Sequence, residues 1–377
     1  MEETEQIPRL MRSPRKVEVD ITSQCDLNCV YCYYQENPAI KNSDLTVEEW
    51  LRFFDELGSL GLMKVSLAGG EPFMREDLPE LLEGIVRNRM RYDILTNGTL
   101  INDRMAEFIA KTNRCDMIHL SLDGSCSQVN DIIRGEGSFE KAVVGIRALL
   151  KHKVPVCIRA TITRHNLKDL EALARFVLED LGVAVFSSNS VDYLGFGRLN
   201  YKELSLTAED RSNAIKILQA LDRKYPGRIW AAAGPLAEAR IWSRMEEARR
   251  KDDPIWPNGG RLTGCGCLFN NINVRADGVI TPCMLLSRIE LGRVNRDSFQ
   301  EVWRNSPKLN RLRARGEKKL EGFEFCRGCE YVKYCNGGCP VQALAVTGQV
   351  NHPSPNACLR RFMADGGCLE LSMKGAG

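Results

Sequence analysis

Between Val17 and about Asn189 the chain repeats one unit, a short run rich in Val and Ile followed by a longer amphipathic stretch. No other feature limits its possible folds as much. Six runs read as strands: VEVDIT from Val17, MKVSLA from Met63, YDILT from Tyr92, MIHLSL from Met117, VCIRATIT from Val156 and VAVFSS from Val183. Helical patterns fill the gaps. In TVEEWLRFFDELGSLG, Thr46 is placed to cap the N-terminus, and Trp50, Phe53, Phe54 and Leu57 share one face. Strands separated by helices of this length pair in parallel, with the crossovers outside. Six units predict an α/β fold built on a partial (β/α)6 TIM-like barrel rather than a closed eight.

Residues 1–16 read as an N-terminal tail, 17–200 as the barrel core, and 201–256 as a helical linker carrying TAEDRSNAIKILQALDRKY and PLAEARIWSRMEEARRK. From 257 to 377 the character changes. Eight of the fifteen cysteines fall between Cys265 and Cys358, among many Gly, Pro and Asn. Such a segment buries too little apolar surface to fold alone and is expected to depend on bound metal. The start lacks a signal-peptide core and no 18 apolar residues run together, so the expected location is the cytoplasm, with no membrane partner. In a reducing compartment that many cysteines imply metal rather than disulfides. Cys115, Cys126, Cys157 and Cys368 stand apart and read as packing. With 52 basic against 49 acidic residues, a net charge of +3 gives no reason to expect nucleic acid. The locally basic stretch from Arg288 to Lys319 reads as a solvated helical face.

CDLNCVYC places Cys25, Cys29 and Cys32 directly after the first strand, on the loop at the face where parallel barrels build their active sites. Three thiolates hold three corners of a four-iron cluster and leave one iron open, the feature that separates a reaction site from a closed structural one. A structural zinc with a fourth ligand from elsewhere is the competing reading.

The loop resembles the CxxxCxΦC loop of radical S-adenosylmethionine (SAM) enzymes, with Tyr31 as the aromatic. The resemblance implies that SAM chelates the open iron through its amino and carboxylate groups. One electron then cleaves the sulfonium and yields a 5′-deoxyadenosyl radical that takes a hydrogen atom from substrate. Gly69, Gly70 and Glu71 in AGGEP look like the family's GGE motif, which meets the methionine amino group. SLDGSCSQVNDIIR resembles the SLDG…HD..R stretch of the sulfatase-maturating subgroup, implying Ser121 for the ribose and Arg134 for the carboxylate. It has one extra residue, and Asn130 where His is common. LTNG, Leu95 to Gly98, ends the third strand as in that subgroup, and reads equally as a turn.

In the C-terminal segment, Cys326, Cys329, Cys335 and Cys339 recur at a spacing whose chance expectation is on the order of 0.001. With Cys265, Cys267, Cys283 and Cys358 the segment resembles the SPASM extension, which carries two auxiliary iron–sulfur clusters. Carried over, Cys326, Cys329, Cys335 and Cys358 would hold one. Cys283 and Cys339 would hold the other with Cys265 and Cys267, either of which the short CGC spacing leaves as a bystander. Two zinc sites would also take eight thiolates; the upstream motifs favour iron, and thus three [4Fe-4S] clusters in all.

SPASM enzymes chiefly modify ribosomally made peptides or proteins, so a radical SAM oxidoreductase acting on a peptide or protein is the leading expectation, reduced by a flavodoxin or ferredoxin. The sulfatase-maturating branch uses an Asp after the GxxxxC cysteine as base; here Met284 stands there and takes no proton. About 16 residues precede the first strand, short for a leader-binding domain, so a peptide would need a separate recognition protein or a groove in the barrel. A small metabolite, such as a tetrapyrrole side chain or an amino sugar, and a non-catalytic metal protein are the alternatives. Asp192 and Tyr193, past the sixth strand, are candidates to meet substrate. His119 reads as a satisfied core residue, His152 and His165 as exposed, and His352 as part of the cysteine-rich segment.

Overall fold

The chain is seen in a computed structural model that describes residues 10–35, 37, 43–253 and 259–369. Residues 1–9, 254–258 and 370–377, parts of the expected tail, linker and C-terminal segment, lie outside these. The six expected strands are all present: β1 (Lys16–Thr22), β2 (Lys64–Gly69), β3 (Arg91–Thr96), β4 (Cys115–Ser121), β5 (Val156–Ile162) and β6 (Val185–Ser190). They lie side by side in chain order, all parallel. Between them run α1 (Val47–Ser59), α2 (Leu78–Arg87), α3 (Asp103–Thr112), α4 (Ser127–Arg134), α5 (Ser138–Lys151) and α6 (Leu170–Arg175). α1 begins as the sequence predicts. Thr46 and Glu49 close a capping box, and Trp50, Phe53, Phe54 and Leu57 are buried together.

The sheet is longer than the six-unit pattern shows. β7 (Ile229–Ala231) adds to β6, so the stretch read as a helical linker also supplies a strand between its helices Ala208–Lys224 and Gly234–Lys251. At the other edge β8 (Asn271–Val274), from the cysteine-rich segment, pairs in parallel with β1 and turns back into β9 (Val279–Thr281) and β10 (Gly292–Arg293). The order β10-β9-β8-β1-β2-β3-β4-β5-β6-β7 leaves β7 and β10 at opposite ends of an open arc. The C-terminal segment is thereby stitched to the barrel by a backbone ladder. A second apolar cluster, with Trp242 stacked on Phe362 at 4.7 Å and Tyr331 and Leu359 beside them, packs helix Gly234–Lys251 on the same segment.

Candidate active site and iron–sulfur centres

The loop after β1 carries Cys25, Cys29 and Cys32, all partly exposed. Neighbouring loops hold it from two sides. Gly70 N donates to Thr22 O at 2.9 Å and Glu71 N to Gln24 O at 2.7 Å, extending the β1–β2 ladder into the cysteine loop. That approach requires glycine. A Cβ on Gly70 would lie 2.0 Å from Gln24 O, and one on Gly69, whose φ is +122°, 2.3 Å from Thr22 O. Asp44 accepts from Thr22 Oγ1 at 2.6 Å and Ser23 N at 2.9 Å. Beyond β6, Phe196 N donates to Cys32 O and Asn200 Nδ2 to Val30 O, each at 2.8 Å.

Glu71 is buried and turned into the protein. Its oxygens accept from Thr96 Oγ1 and Asn97 N at 2.7 Å and from Phe73 N at 3.1 Å, filling three of about four acceptor positions. Burial pushes its carboxyl up to about 7 against the pull of those donors. Asn97, of the LTNG turn, donates to Asp26 Oδ1 at 2.7 Å and lies 3.9 Å from Cys25 Sγ, so the turn after β3 also supports the loop.

Arg134, the last residue of α4, lies within the protein. Its Nε donates to Asp123 Oδ2 at 2.6 Å and its Nη2 to the Tyr31 hydroxyl, which donates in turn to Asp123. Nη1 faces Cys29 Sγ at 3.9 Å. Asp123 is fully buried and also accepts from Thr161 N at 2.7 Å. Asn130 accepts from Asp123 N at 2.9 Å and donates to Ser138 Oγ, making it a loop strut. Ser121 ends β4 at the same rim, in register with Arg159 of β5.

Burial raises all three thiols, Cys25 to about 12 and Cys29 to about 11, with Arg134 partly opposing it at Cys29. Thiolates in this setting need a positive partner, which the iron of a cluster supplies. Among the described residues no three His, Cys, Asp or Glu side chains close on a single metal ion.

In the C-terminal segment Cys326, Cys329, Cys335 and Cys358 line one cavity. Cys265 and Cys267 have their sulfurs side by side; Cys283 hydrogen-bonds Cys267, and Cys339 feels both Cys265 and Cys283. The structure thus gathers both cysteines of CGC into one group of four. The hydrogen bond from Cys267 lowers the Cys265 thiol to about 6, and buried Arg315 assists. The sulfur donors fit two four-thiolate centres. Tyr33, next to Cys32, donates to Met284 Sδ at 3.5 Å, next to Cys283, and so links the two cysteine regions directly.

Inside the barrel lies a cavity of about 550 Å³ where polar strand residues such as Glu18, His119 and Arg159 alternate with apolar ones such as Leu95 and Trp230, and Met284 also lines it. His119 faces it with Nδ1 unpartnered among the described residues, correcting its reading as a satisfied core residue. Asp192 lies near the rim, its carboxyl raised to about 6 by burial and lowered again by Arg159; Tyr193 is partly exposed and packs edge-on to Tyr201. Asp123, Asn97 and Arg159 are the residues the motifs did not single out. The D of SLDG and the N of LTNG were the available signals for two of them.

A family profile of the radical SAM superfamily matches residues 19–177, and one of the SPASM iron–sulfur cluster-binding domain matches residues 265–330. The chain belongs to the radical SAM superfamily. More particularly, it is a radical SAM enzyme whose barrel is followed by a SPASM domain. It is 26% identical over 354 residues to the AdoMet-dependent heme synthase of Methanosarcina barkeri, covering 93% of this chain and 98% of that protein. It is likewise 26% identical over 360 residues to the PqqA peptide cyclase of Granulibacter bethesdensis, covering 92% and 87%. In fold it resembles Streptococcus suis SuiB bound to precursor peptide SuiA, with a TM-score of 0.71 at 18% identity over 93% of this chain and 77% of that one. No helix among the described residues is long and apolar enough to cross a membrane.

Proposed function

We propose that the enzyme cleaves SAM at a cluster held by Cys25, Cys29 and Cys32 and oxidatively modifies a ribosomally made peptide or protein. The observation that carries this is the three-thiol loop itself: partly buried thiols, held by the loops after β2, β3 and β6, and joined to the barrel cavity through the Tyr33–Met284 contact. Bound together, cluster and SAM supply one-electron cleavage of the sulfonium and hence hydrogen-atom abstraction. Gly69, Gly70 and Glu71 form the β2 side of the SAM pocket and Ser121 the ribose side. Arg134, held by Asp123 and Tyr31, keeps Nη1 for the loop and for the SAM carboxylate. Cys326, Cys329, Cys335 and Cys358 hold one auxiliary cluster and Cys265, Cys267, Cys283 and Cys339 the other. A substrate that loses a hydrogen atom and then a proton has one electron left to give up, and these clusters would accept it. A flavodoxin or ferredoxin would reduce the enzyme, a separate protein could present the peptide, and the setting is cytoplasmic.

Relatives that act on peptides support the peptide reading: the PqqA peptide cyclase, and the subtilosin biosynthesis protein AlbA of Bacillus subtilis. A second reading, a small carboxylated metabolite such as a tetrapyrrole, is favoured by the match to nearly the whole length of the heme synthase. Reduced, anaerobic protein should release 5′-deoxyadenosine from SAM, and Cys29→Ala should not; equal yields would sink the proposal. Mass spectra of a short peptide encoded beside this gene, co-expressed with and without the enzyme, separate the two readings. Loss of two hydrogens supports the first.

A further inference from the structure

The barrel cavity has a charge left over. Among its lining residues, Lys16 pairs with Glu18 at 2.9 Å, Asp93 with Lys64 at 2.9 Å and Arg240 with Asp222 at 2.8 Å. Burial, with help from Arg159, lowers His119 to about 4, so it is neutral at pH 7. Arg159 remains. Among the described residues it forms no ion pair. Among the described residues its guanidinium makes one hydrogen bond, from Nη2 to the Asn189 side-chain oxygen at 2.7 Å, with that amide oriented to accept it. Asp192 feels its field from beyond ion-pairing distance. A half-buried guanidinium without a carboxylate is costly, and its planar fork is shaped to hold one by two parallel bonds.

Arg159 also lies close to the proposed SAM pocket. Arg159 is in register with Ser121 on β4 and Ser187 on β6, and neighbouring strands lie only about 4.8 Å apart. A group bound to Arg159 therefore sits beside the residue proposed to meet the SAM ribose.

We propose that Arg159 anchors an alkyl carboxylate of the substrate inside the barrel, next to Ser121. The inference rests on the proposed function and deepens it by naming the chemistry of the substrate: an Asp or Glu side chain of a peptide, or a propionate of a small metabolite. His119 and Ser187, on the same wall, supply neutral hydrogen-bonding groups to the remainder.

The test is protection of Arg159 from phenylglyoxal in the reconstituted, anaerobic holoenzyme with SAM, mapped by peptide mass spectrometry. Propionate should slow labelling of Arg159 by roughly threefold or more while propionamide does not, and labelling of exposed Arg198 should be unchanged. Coproporphyrin III and a glutamate-rich peptide form two further arms; whichever protects at the lower concentration identifies the source of the carboxylate. Equal labelling of Arg159 in every arm, or none in any, overturns the anchor. SAM cleavage by the same sample keeps the two claims apart. If cleavage occurs without protection, the anchor alone falls; if there is no cleavage, the proposed function falls.

Discussion

The two cysteine regions are built by opposite means. The loop of Cys25, Cys29 and Cys32 is fixed by bonds from residues far away in the chain, Gly70, Glu71, Asn97, Phe196 and Asn200, so its shape is part of the barrel. The segment from Leu320 to Cys358 runs through the short 3-10 turns Leu320–Gly322, Glu324–Cys326, Val332–Tyr334 and Pro355–Ala357. Many of its bonds reach back only three residues: Cys326 N to Phe323 O, Cys329 N to Cys326 O, Val332 N to Cys329 O. A site framed by long-range ladders exists before its metal arrives. A site made of local turns holds its thiols together only when something joins them.

Stripping the iron anaerobically should therefore have the largest effect, and on one region only. Amide exchange across 324–335 should rise by roughly a hundredfold or more, while β1 to β6 keep their protection. Equal protection of both regions in the apoprotein would dissolve the contrast. Next in size is Gly70→Ala, which forces a Cβ against the Gln24 carbonyl, a backbone atom with little room to yield. It should cost about 2–4 kcal/mol, read as a lower Tm. The reconstituted variant should also lose about four of roughly twelve irons, all from the N-terminal centre. A full iron complement would show that the cysteine loop does not depend on the β2 turn.

What the sequence revealed follows from the same contrast. The six strands were legible because each is a short run with Val, Ile or Leu at its core, set between amphipathic helices. β7, three residues with Trp230 exposed, and β8, the Asn-rich NINV, carry no such pattern; they are strands because edges of the sheet were there to pair with. The cysteines announced themselves by spacing. The polar residues that organise the site did not: Arg159 and Asp123 sit on or beside strands where a polar residue reads as solvent-facing, and His119, within a strand, reads as core packing. Only the curl of the sheet turns those positions inward. Glu71 shows the limit of a motif. GGE marks the right place, but the structure commits most of its acceptor capacity to Thr96, Asn97 and Phe73.

The smallest predicted effect lies at the seam joining the two regions. Asp20 of β1 is 2% exposed, accepts a long 3.4 Å bond from Asn273 of β8, and leaves Oδ1 unpartnered among the described residues. Burial raises its carboxyl to about 7, with Asn273 partly opposing. A carboxyl raised on folding favours the protonated native state. Its contribution is therefore complete below the unfolded value of 3.8, declines as pH rises toward 7, and is level above that. A shift of this size bounds the loss at about 4 kcal/mol, and relaxation around a buried group reduces it to roughly 1–2. Asp20→Asn keeps the shape and removes the charge. It should match wild type near pH 4 and exceed it in Tm at pH 8, with β8 amides exchanging more slowly at the higher pH. If the variant follows the wild-type pH dependence, Asp20 is not what strains the seam, and the C-terminal region is coupled to the barrel through its thiol centres rather than through β8.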